Sequence, residues 1–161
     1  MLVDMVNTMQ LFENAVRQGL ALHKCPGRSN LVVTHDRPNE HDRFTYARVN
    51  QLTSPSDLEL LGIAVFACTA DEFGKVTFSV GYAVKEQYRR NGIGSALLQE
   101  SIEELAAGVR KQGYKGIVVD IAADIDNIAS QRLANKVLSV PGVLAIDDQT
   151  GKPIIVFKRH Y

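Results

Sequence analysis

The most informative stretch of the sequence is Val80-Gly81-Tyr82-Ala83-Val84-Lys85-Glu86-Gln87-Tyr88-Arg89-Arg90-Asn91-Gly92-Ile93-Gly94-Ser95. A β-rich run ends here in a cationic turn with two glycines, and an amphipathic helix follows directly. The first amides of a helix have no partners within the helix and carry the positive end of its dipole. Gly92 and Gly94 lack a Cβ and therefore let anion oxygens approach the backbone. The stretch thus predicts an anion-binding turn, with Arg89 and Arg90 at its rim.

Two common phosphate-binding motifs do not fit this turn. A Walker loop needs a Lys after its second glycine, and no Lys follows Gly94. A dinucleotide fingerprint needs a third glycine, and Leu97 occupies that place. A purely structural interpretation stays open, in which Asn91-Gly92 forms a tight turn and Gly94 packs the helix closely on the sheet.

Before this turn the sequence predicts one helix and then short strands. Apolar residues at helical spacing predict an amphipathic helix from Leu2 to about Gly19. Runs of β-forming residues, separated by the turn-rich pieces 36–40 and 53–57, predict strands at Leu31–Thr34, Phe44–Leu52, Leu60–Ala70 and Lys75–Val84. The stretch Asp71–Gly74 is typical of a hairpin loop, which favours an antiparallel start to the sheet.

After the turn the pattern becomes helical again. An apolar stripe predicts a helix from Gly94 to Gly113, and a strand follows at Gly116–Ala122. Asn127 is placed to cap a short helix that Pro141-Gly142 ends. The last strands are predicted at Val143–Ile146 and Pro153–Lys158. With no repeat and no linker, residues 1–161 are expected to form one mixed α/β domain.

Composition limits the possible partners and the compartment. The 161 residues carry 18 Lys plus Arg against 18 Asp plus Glu, so the net charge is zero and no basic surplus favours nucleic acid. The longest apolar stretch, Leu60 to Ala70, is shorter than the roughly 20 residues of a membrane span. Two distant cysteines, Cys25 and Cys68, suit reduced thiols. We therefore expect a cytoplasmic protein without membrane or nucleic-acid partners.

Two linked motifs carry a resemblance to a known family. Arg89-x-x-Gly92-x-Gly94, between a strand and a helix, resembles the acyl-coenzyme A pyrophosphate loop of the GNAT N-acetyltransferase superfamily. Asn127-x-x-Ser130, followed by Lys136, resembles the start of that superfamily's next helix. The resemblance covers about residues 60–138. It implies a GNAT-like domain whose mixed, mostly antiparallel sheet contains a splayed strand pair and is flanked by helices.

The resemblance also implies where acetyl-coenzyme A would bind. The backbone of Tyr82, Ala83 and Val84 would bond the pantetheine arm like an added strand. Arg89 would stand beside the pyrophosphate, and the amides of six residues would hold it: Arg90, Asn91, Gly92, Ile93, Gly94 and Ser95. Asn127 would hydrogen-bond the pantetheine, and Ser130 would let the arm pass close to the helix. Lys136 or Arg132 could reach the nucleotide end.

The implied reaction is direct transfer of the acetyl group to a primary amine in a ternary complex. The acceptor is a small-molecule or protein amine of unknown identity, and no covalent enzyme intermediate is required. The amide of Val84 would donate to the developing oxyanion. No metal is expected, because the histidines and cysteines have no metal-ligand spacing and the acidic run near Asp120 lacks the pattern of a calcium loop.

The sequence departs from the family pattern at the general acid. Many members carry a Tyr seven residues after the capping Asn, and here Ala134 stands there. Tyr82 and Tyr88 flank the loop and are the candidate acids. A non-catalytic module that binds or senses acyl-coenzyme A therefore remains the alternative function.

The general base and the acceptor pocket are less well defined by the sequence. Candidate bases are Glu86, Asp120 and His41, and Asp120 is preferred because an exposed Glu86 suits a counter-charge to the neighbouring arginines. The polar loop 36–46 precedes the central strands and offers Arg43 and Tyr46 as candidates for acceptor contacts. The last two strands and the first helix could also pair between subunits of a homodimer.

Overall fold

Eight strands and three helices follow one another in a computed structural model that describes residues 4–28, 30–50 and 57–161. The first half holds one helix and five strands: α1 (Met5–Arg17), β1 (His23–Lys24), β2 (Leu31–Asp36), β3 (Arg43–Val49), β4 (Leu60–Glu72) and β5 (Lys75–Val84). The second half contains α2 (Ile93–Lys111), β6 (Gly116–Asp124), α3 (Ile128–Leu138), β7 (Val143–Ile146) and β8 (Pro153–His160). Short 3-10 turns lie at Pro38–Glu40 and Glu86–Tyr88.

The described strands form one sheet in the order β1-β2-β3-β4-β5-β6-β8-β7. β5 and β6 are parallel, and the other neighbouring pairs are antiparallel. The connection from β5 to β6 runs through α2, as parallel neighbours require. The prediction of a mixed, mostly antiparallel sheet flanked by helices is confirmed.

The β4–β5 hairpin shows why the chain begins the sheet in antiparallel fashion. The strands stay paired up to Glu72 and Lys75, so the loop is shorter than the predicted 71–74 and consists of Phe73 and Gly74 alone. Both residues have positive φ, 54° and 77°, as a two-residue hairpin turn demands.

The sheet has a hydrophobic core on each face. α2 and α3 cover one face, where Phe66, Phe78 and Leu98 are almost fully buried. α1 covers part of the other face, over Ile63 and Ala83. Each large apolar side chain that is fully buried contributes roughly 1.5–3 kcal/mol. The double-sided core explains why the first part of β4 is a nearly continuous apolar run.

The bounds of several elements differ from the sequence prediction. β1 was not predicted, because His23-Lys24 is a charged, two-residue edge strand without an alternating pattern. β3 ends at Val49, and the predicted strand end at Leu52, the turn residues 53–56 and the predicted helix start at Leu2 lie outside the described residues. β4, β6 and β8 each extend two residues further than predicted, because pairing with neighbouring strands continues past the apolar runs.

The last strand of the sheet, β7, lies at an edge and exposes about 60% of Val143, Leu144 and Ile146. Subunit pairing through this edge stays a prediction. In the part of the chain that the structure describes, no helix is long and apolar enough to cross a membrane.

Candidate functional site

The parallel strands β5 and β6 separate at one end of the sheet. Their pairing begins at Lys75 and Gly116 and stops at Ser79 and Asp120. Beyond that point β5 remains paired to β4, and β6 remains paired to β8. A fork therefore opens between the two strands, as the family resemblance implies.

The hydrogen-bond alternation of β5 decides which backbone groups face the fork. Lys85 N donates to Leu61 O of β4 at 2.9 Å. In an antiparallel pair, every second residue directs its backbone N–H and C=O to the partner strand, and the residues between direct theirs to the other side. The backbone groups of Ala83 are thus directed to β4, whereas those of Tyr82 and Val84 point into the fork. Of the three residues predicted to bond the pantetheine arm, Tyr82 and Val84 can therefore offer backbone amides to a ligand. Ala83 lines the cleft, but its amide is directed to β4.

The cationic turn stands directly above the fork and presents unpaired amides. Within the described residues, none of the amides of residues 90–95 has a backbone or side-chain acceptor, and Ala96 N makes the first helical bond, to Gly92 O. Arg89 Nε donates to Val84 O at 3.0 Å, which fastens the turn to the end of β5. Tyr88 donates its hydroxyl to Glu59 and anchors the other side of the turn.

The two glycines of the turn have different roles. Gly92 has φ 75°, and a Cβ there would meet no atom within 4 Å. A Cβ on Gly94 would lie 3.1 Å from Leu133 Cδ2, so Gly94 lets α2 approach α3. The space beside Gly92 is open and adjoins the unpaired amides at the start of α2, which is the setting that favours anions at a helix N-terminus. Gly94 thus has the packing role, and anion binding beside Gly92 stays a prediction.

The side chains on α3 close the helix side of the fork. Asn127 Oδ1 accepts from Ser130 N at 3.1 Å and caps the helix. The Tyr82 hydroxyl donates to Ser130 O at 3.0 Å and lies 2.7 Å from Ser130 Oγ. Either hydroxyl can donate in the second contact, and when the phenolic proton goes to the carbonyl, Ser130 Oγ–H donates to the Tyr82 oxygen. Burial raises the pKa of Tyr82, and the hydrogen bond from Ser130 opposes that rise.

A cleft of about 1290 Å³ passes through the fork and reaches both faces of the sheet. Its helix side carries four cations, Arg89, Arg90, Arg132 and Lys136. The lining of the cleft as a whole contains most of the predicted ligand positions: Tyr82, Ala83, Val84, Gly92, Ile93, Gly94, Ser95, Asn127 and Ser130. Asn91 is absent from the described lining, and its side chain reaches back to Tyr88 O.

The opposite side of the cleft lies on the face that α1 covers. Asp4 and Thr8 at the start of α1, His41 and Arg43 from the polar loop, and Ser79 at the fork line this side. Arg43 is engaged with Asp36 through Nε at 2.9 Å, so its charge is already balanced. A polar chamber thus lies across the fork from the cationic side.

The candidate bases occupy different places. His41 is exposed at the rim of the polar chamber, and Glu86 is exposed in the 3-10 turn, outside the described lining of the cleft. Asp120 is also outside that lining but is the register partner of Ser79, one strand from the chamber. Burial raises the pKa of the Asp120 carboxyl, and the neighbouring Lys158 opposes that rise.

Two sequence candidates are placed in the core. Tyr46 is only 4% exposed and packs edge-on against Phe66, in the core on the face of the sheet that α2 and α3 cover. Ala134 lies on the buried face of α3 and is fully buried in the core. Among the described residues, no group of three or more His, Cys, Asp or Glu side chains is arranged to hold a metal ion.

The capping role of Asn127 gives a prediction about stability. Asn127→Ala is expected to lower the free energy of unfolding by about 1 kcal/mol, because Ser130 N loses its acceptor. Asn127→Asp keeps a capping oxygen, and its free energy of unfolding is expected to stay within a few tenths of a kcal/mol of the wild-type value. Denaturant unfolding of the two variants checks this, and equal losses in both would show that the side chain does not act as a cap.

Family comparison agrees with this geometry. The model of the acetyltransferase (GNAT) family matches residues 28–139, which is more than half of the chain. The chain therefore belongs to the GNAT acetyltransferase family, and the prediction of a GNAT-type acyltransferase is confirmed at that level. No curated protein matches the chain.

Solved structures show the same fold at low identity. NAA60 of Arabidopsis thaliana, in complex with a bisubstrate analogue, is 13% identical with a TM-score of 0.54, over 96% of this chain and 94% of that one. Ribosomal-protein-S5-alanine acetyltransferase from Vibrio fischeri is 14% identical with a TM-score of 0.51, over 76% and 62%. The ribosomal L7/L12 α-N-protein acetyltransferase RimL, in complex with coenzyme A, is 18% identical with a TM-score of 0.51, over 73% and 62%. The chain thus spans less than two thirds of the last two proteins, and the GNAT-like fold is confirmed.

Sequence reasoning missed some residues of the cleft. Ser79 and the start of α1 gave no signal, because their place depends on how α1 crosses β5. That crossing is close: a Cβ on Gly81 would lie 2.7 Å from Met5 Sδ. The Tyr82–Ser130 contact joins residues 48 apart, with α2 and β6 between them, and no sequence signal pointed to it.

Proposed function

We propose that this chain is an acetyl-coenzyme A-dependent N-acetyltransferase that acts on a primary amine by direct attack in a ternary complex. The observation that carries the proposal is the fork beside the turn: unpaired amides of Tyr82 and Val84 lie next to the unpaired amides of residues 90–95. The first set suits an extended amide-bearing arm, and the second set suits a pyrophosphate. Coenzyme A combines these two parts, an extended pantetheine arm with amide groups and a pyrophosphate at the end of that arm.

The two faces of the sheet at the fork would have different roles in the reaction, one receiving the amine and the other the leaving thiolate. When bound, the thioester supplies an already activated acyl group, so the protein must orient the amine, stabilise charge and move protons. One of the two amides, that of Val84 or that of Tyr82 deeper in the fork, would donate to the developing oxyanion, and the other would bind the arm. The polar chamber would receive the amine, with Asp120 accepting its proton through a water beside Ser79.

The leaving thiolate would be protonated from the helix side. Tyr82 is our candidate acid, because its hydroxyl lies in the cleft and Ser130 Oγ–H can stabilise the phenolate by a hydrogen bond. Acid and base would then work from opposite faces of the sheet. This arrangement suits direct attack, in which the amine approaches from one side and the thiolate departs on the other.

Tyr82→Phe is expected to lower kcat about tenfold. The loss is modest for an acid because a thiol has a pKa near 8.5 and its anion leaves readily without help. Steady-state turnover with a good amine acceptor measures it. Tyr88→Phe is the matched control, since Tyr88 flanks the same turn but is bonded to Glu59, and it should keep kcat within twofold. Equal losses in the two variants would remove Tyr82 from the mechanism.

The alternative function is a module that binds acyl-coenzyme A without turnover. One observation favours it: Ala134 is fully buried and offers no hydroxyl where many GNAT enzymes have a tyrosine. A thiol-release assay against a panel of small amines and peptide α-amines separates the two. Thiol release that depends on the amine supports the transferase, whereas tight binding of acetyl-coenzyme A with no release above background supports the sensor.

A further inference from the structure

A second hollow lies beside the cleft, between α2, α3 and β8. Its volume is about 310 Å³, and Gln99, Glu103, Lys136, Ser139 and Arg159 are among its lining residues. Lys136 lines both the hollow and the cleft. The two spaces are therefore neighbours on the helix side of the sheet.

A groove between α2 and α3 connects the turn to this hollow. Ser95 lines the cleft, and Gln99, four residues later on the same face of α2, lines the hollow. Arg132 and Lys136 have the same spacing on α3. Four helical residues advance about 6 Å, so the hollow begins one turn beyond the unpaired amides.

The hollow is arranged for an anion. Arg159 donates from one terminal nitrogen to Leu138 O at 2.7 Å, and its guanidinium lies 5.0 Å above the Tyr161 ring. These contacts fix the guanidinium, and its other N–H donors have no acceptor among the described residues. The C-terminal end of α3 carries partial negative charge and by itself would disfavour an anion. Arg159 offsets that charge by its bond to Leu138 O.

The remaining charges leave the hollow positive. Glu103 already forms a salt bridge with Arg28, with 2.7 Å between Glu103 Oε2 and Arg28 Nη2. Lys136 forms no salt bridge with any acidic side chain in the described ranges. Two cations, Arg159 fixed by its contacts and Lys136 exposed, thus face a hollow whose one carboxylate, that of Glu103, is already neutralised.

Resting on the proposed function, we propose that this hollow binds the 3′-phosphate of coenzyme A through Lys136 and Arg159. The 3′-phosphate is carried by the ribose that directly follows the pyrophosphate. With the pyrophosphate at residues 90–95, the ribose lies beside Ser95 and Arg132, and its 3′-phosphate reaches the hollow one helical turn further along. Arg159, on the last strand, would then belong to the cofactor site although it lies outside both motifs.

The test compares coenzyme A with 3′-dephospho-coenzyme A by titration calorimetry. Wild type is expected to bind coenzyme A about tenfold more tightly, because a phosphate bonded to two cations is lost in the second ligand. Lys136→Gln and Arg159→Gln should each shrink that ratio toward one by weakening coenzyme A alone. Lys111→Gln, which removes an exposed cation at the far end of α2, should keep the wild-type ratio.

The outcomes separate this inference from the proposed function. Equal affinity of wild type for both ligands, or an unchanged ratio in both variants, would overturn the 3′-phosphate site and leave the proposed function standing. Failure of wild type to bind either ligand would overturn the proposed function itself. Lys136 is exposed, so Lys136→Gln decides the question even where Arg159→Gln, which loses the bond to Leu138 O, does not fold.

Discussion

Gly92→Glu is expected to weaken coenzyme A binding at least hundredfold while the protein stays folded. The new side chain would point into open space beside the unpaired amides, because a Cβ at this position meets no atom within 4 Å. Its carboxylate would occupy the phosphate position and repel the ligand. Loss of two or more amide–phosphate bonds, each about 1.5–3 kcal/mol, accounts for the magnitude. Titration calorimetry measures the affinity.

A matched control separates this effect from backbone strain. Gly27 also has φ 75° and also has no atom within 4 Å of a Cβ, but it lies in the turn before β2, outside the cleft. Gly27→Glu therefore carries the same strain, about 1 kcal/mol, and should bind coenzyme A like wild type. Gly94 is a poorer choice for this test, since any side chain there also presses on Leu133. Normal affinity of Gly92→Glu would refute the assignment of the turn.

Asp120→Asn is expected to lower kcat about hundredfold at neutral pH. A primary amine with a pKa near 10.4 is neutral in roughly one molecule in 2,500 at pH 7, so removing its proton matters more than protonating the thiolate. Burial raises the Asp120 pKa and makes the carboxylate a stronger base. The ascending limb of the pH profile of kcat/KM should move in this variant from the raised pKa of Asp120 to the higher pKa of the free amine. His41→Gln, at the exposed rim of the same chamber, is the control and should stay within threefold.

Stability measurements show whether Asp120→Asn acts through the fold. An acid whose pKa is raised in the folded state binds protons more tightly there, so stability falls as pH rises from the ordinary Asp value through the raised one. Asn removes that penalty. The variant should therefore keep or gain free energy of unfolding at pH 7. A kcat loss accompanied by lower stability would mean that Asp120 is structural.

The turn and the helix cap of the candidate site could be predicted from the sequence because their parts are local. The loop at Arg89–Ser95 and the cap at Asn127 each act through the backbone within a few residues, and a local pattern is enough to recognise them. The order of strands and helices followed for the same reason, since apolar periodicity reports burial directly. The edge strand at His23–Lys24 was missed because two charged residues carry no period.

The acceptor side could not be predicted because it depends on long-range packing. Tyr46 lies on the face of β3 that α2 and α3 cover, and the sequence does not show on which face its ring lies, because both faces of β3 bear buried residues. Ser79 reaches the chamber only because β6 diverges after Asp120, and Arg159 reaches the second hollow only through the pairing of β8 with β6. None of these placements leaves a periodic signal in the residues concerned.

The most direct test of the central claim is residue-resolved hydrogen exchange of the backbone amides with and without coenzyme A. The amides of Tyr82, Val84 and residues 90–95 should exchange quickly in the free protein and become protected when the ligand binds. Those of Gly81 and Ala83, which are bonded to β4, should be protected in both states. Binding of coenzyme A that leaves Tyr82, Val84 and the turn unprotected would contradict the account.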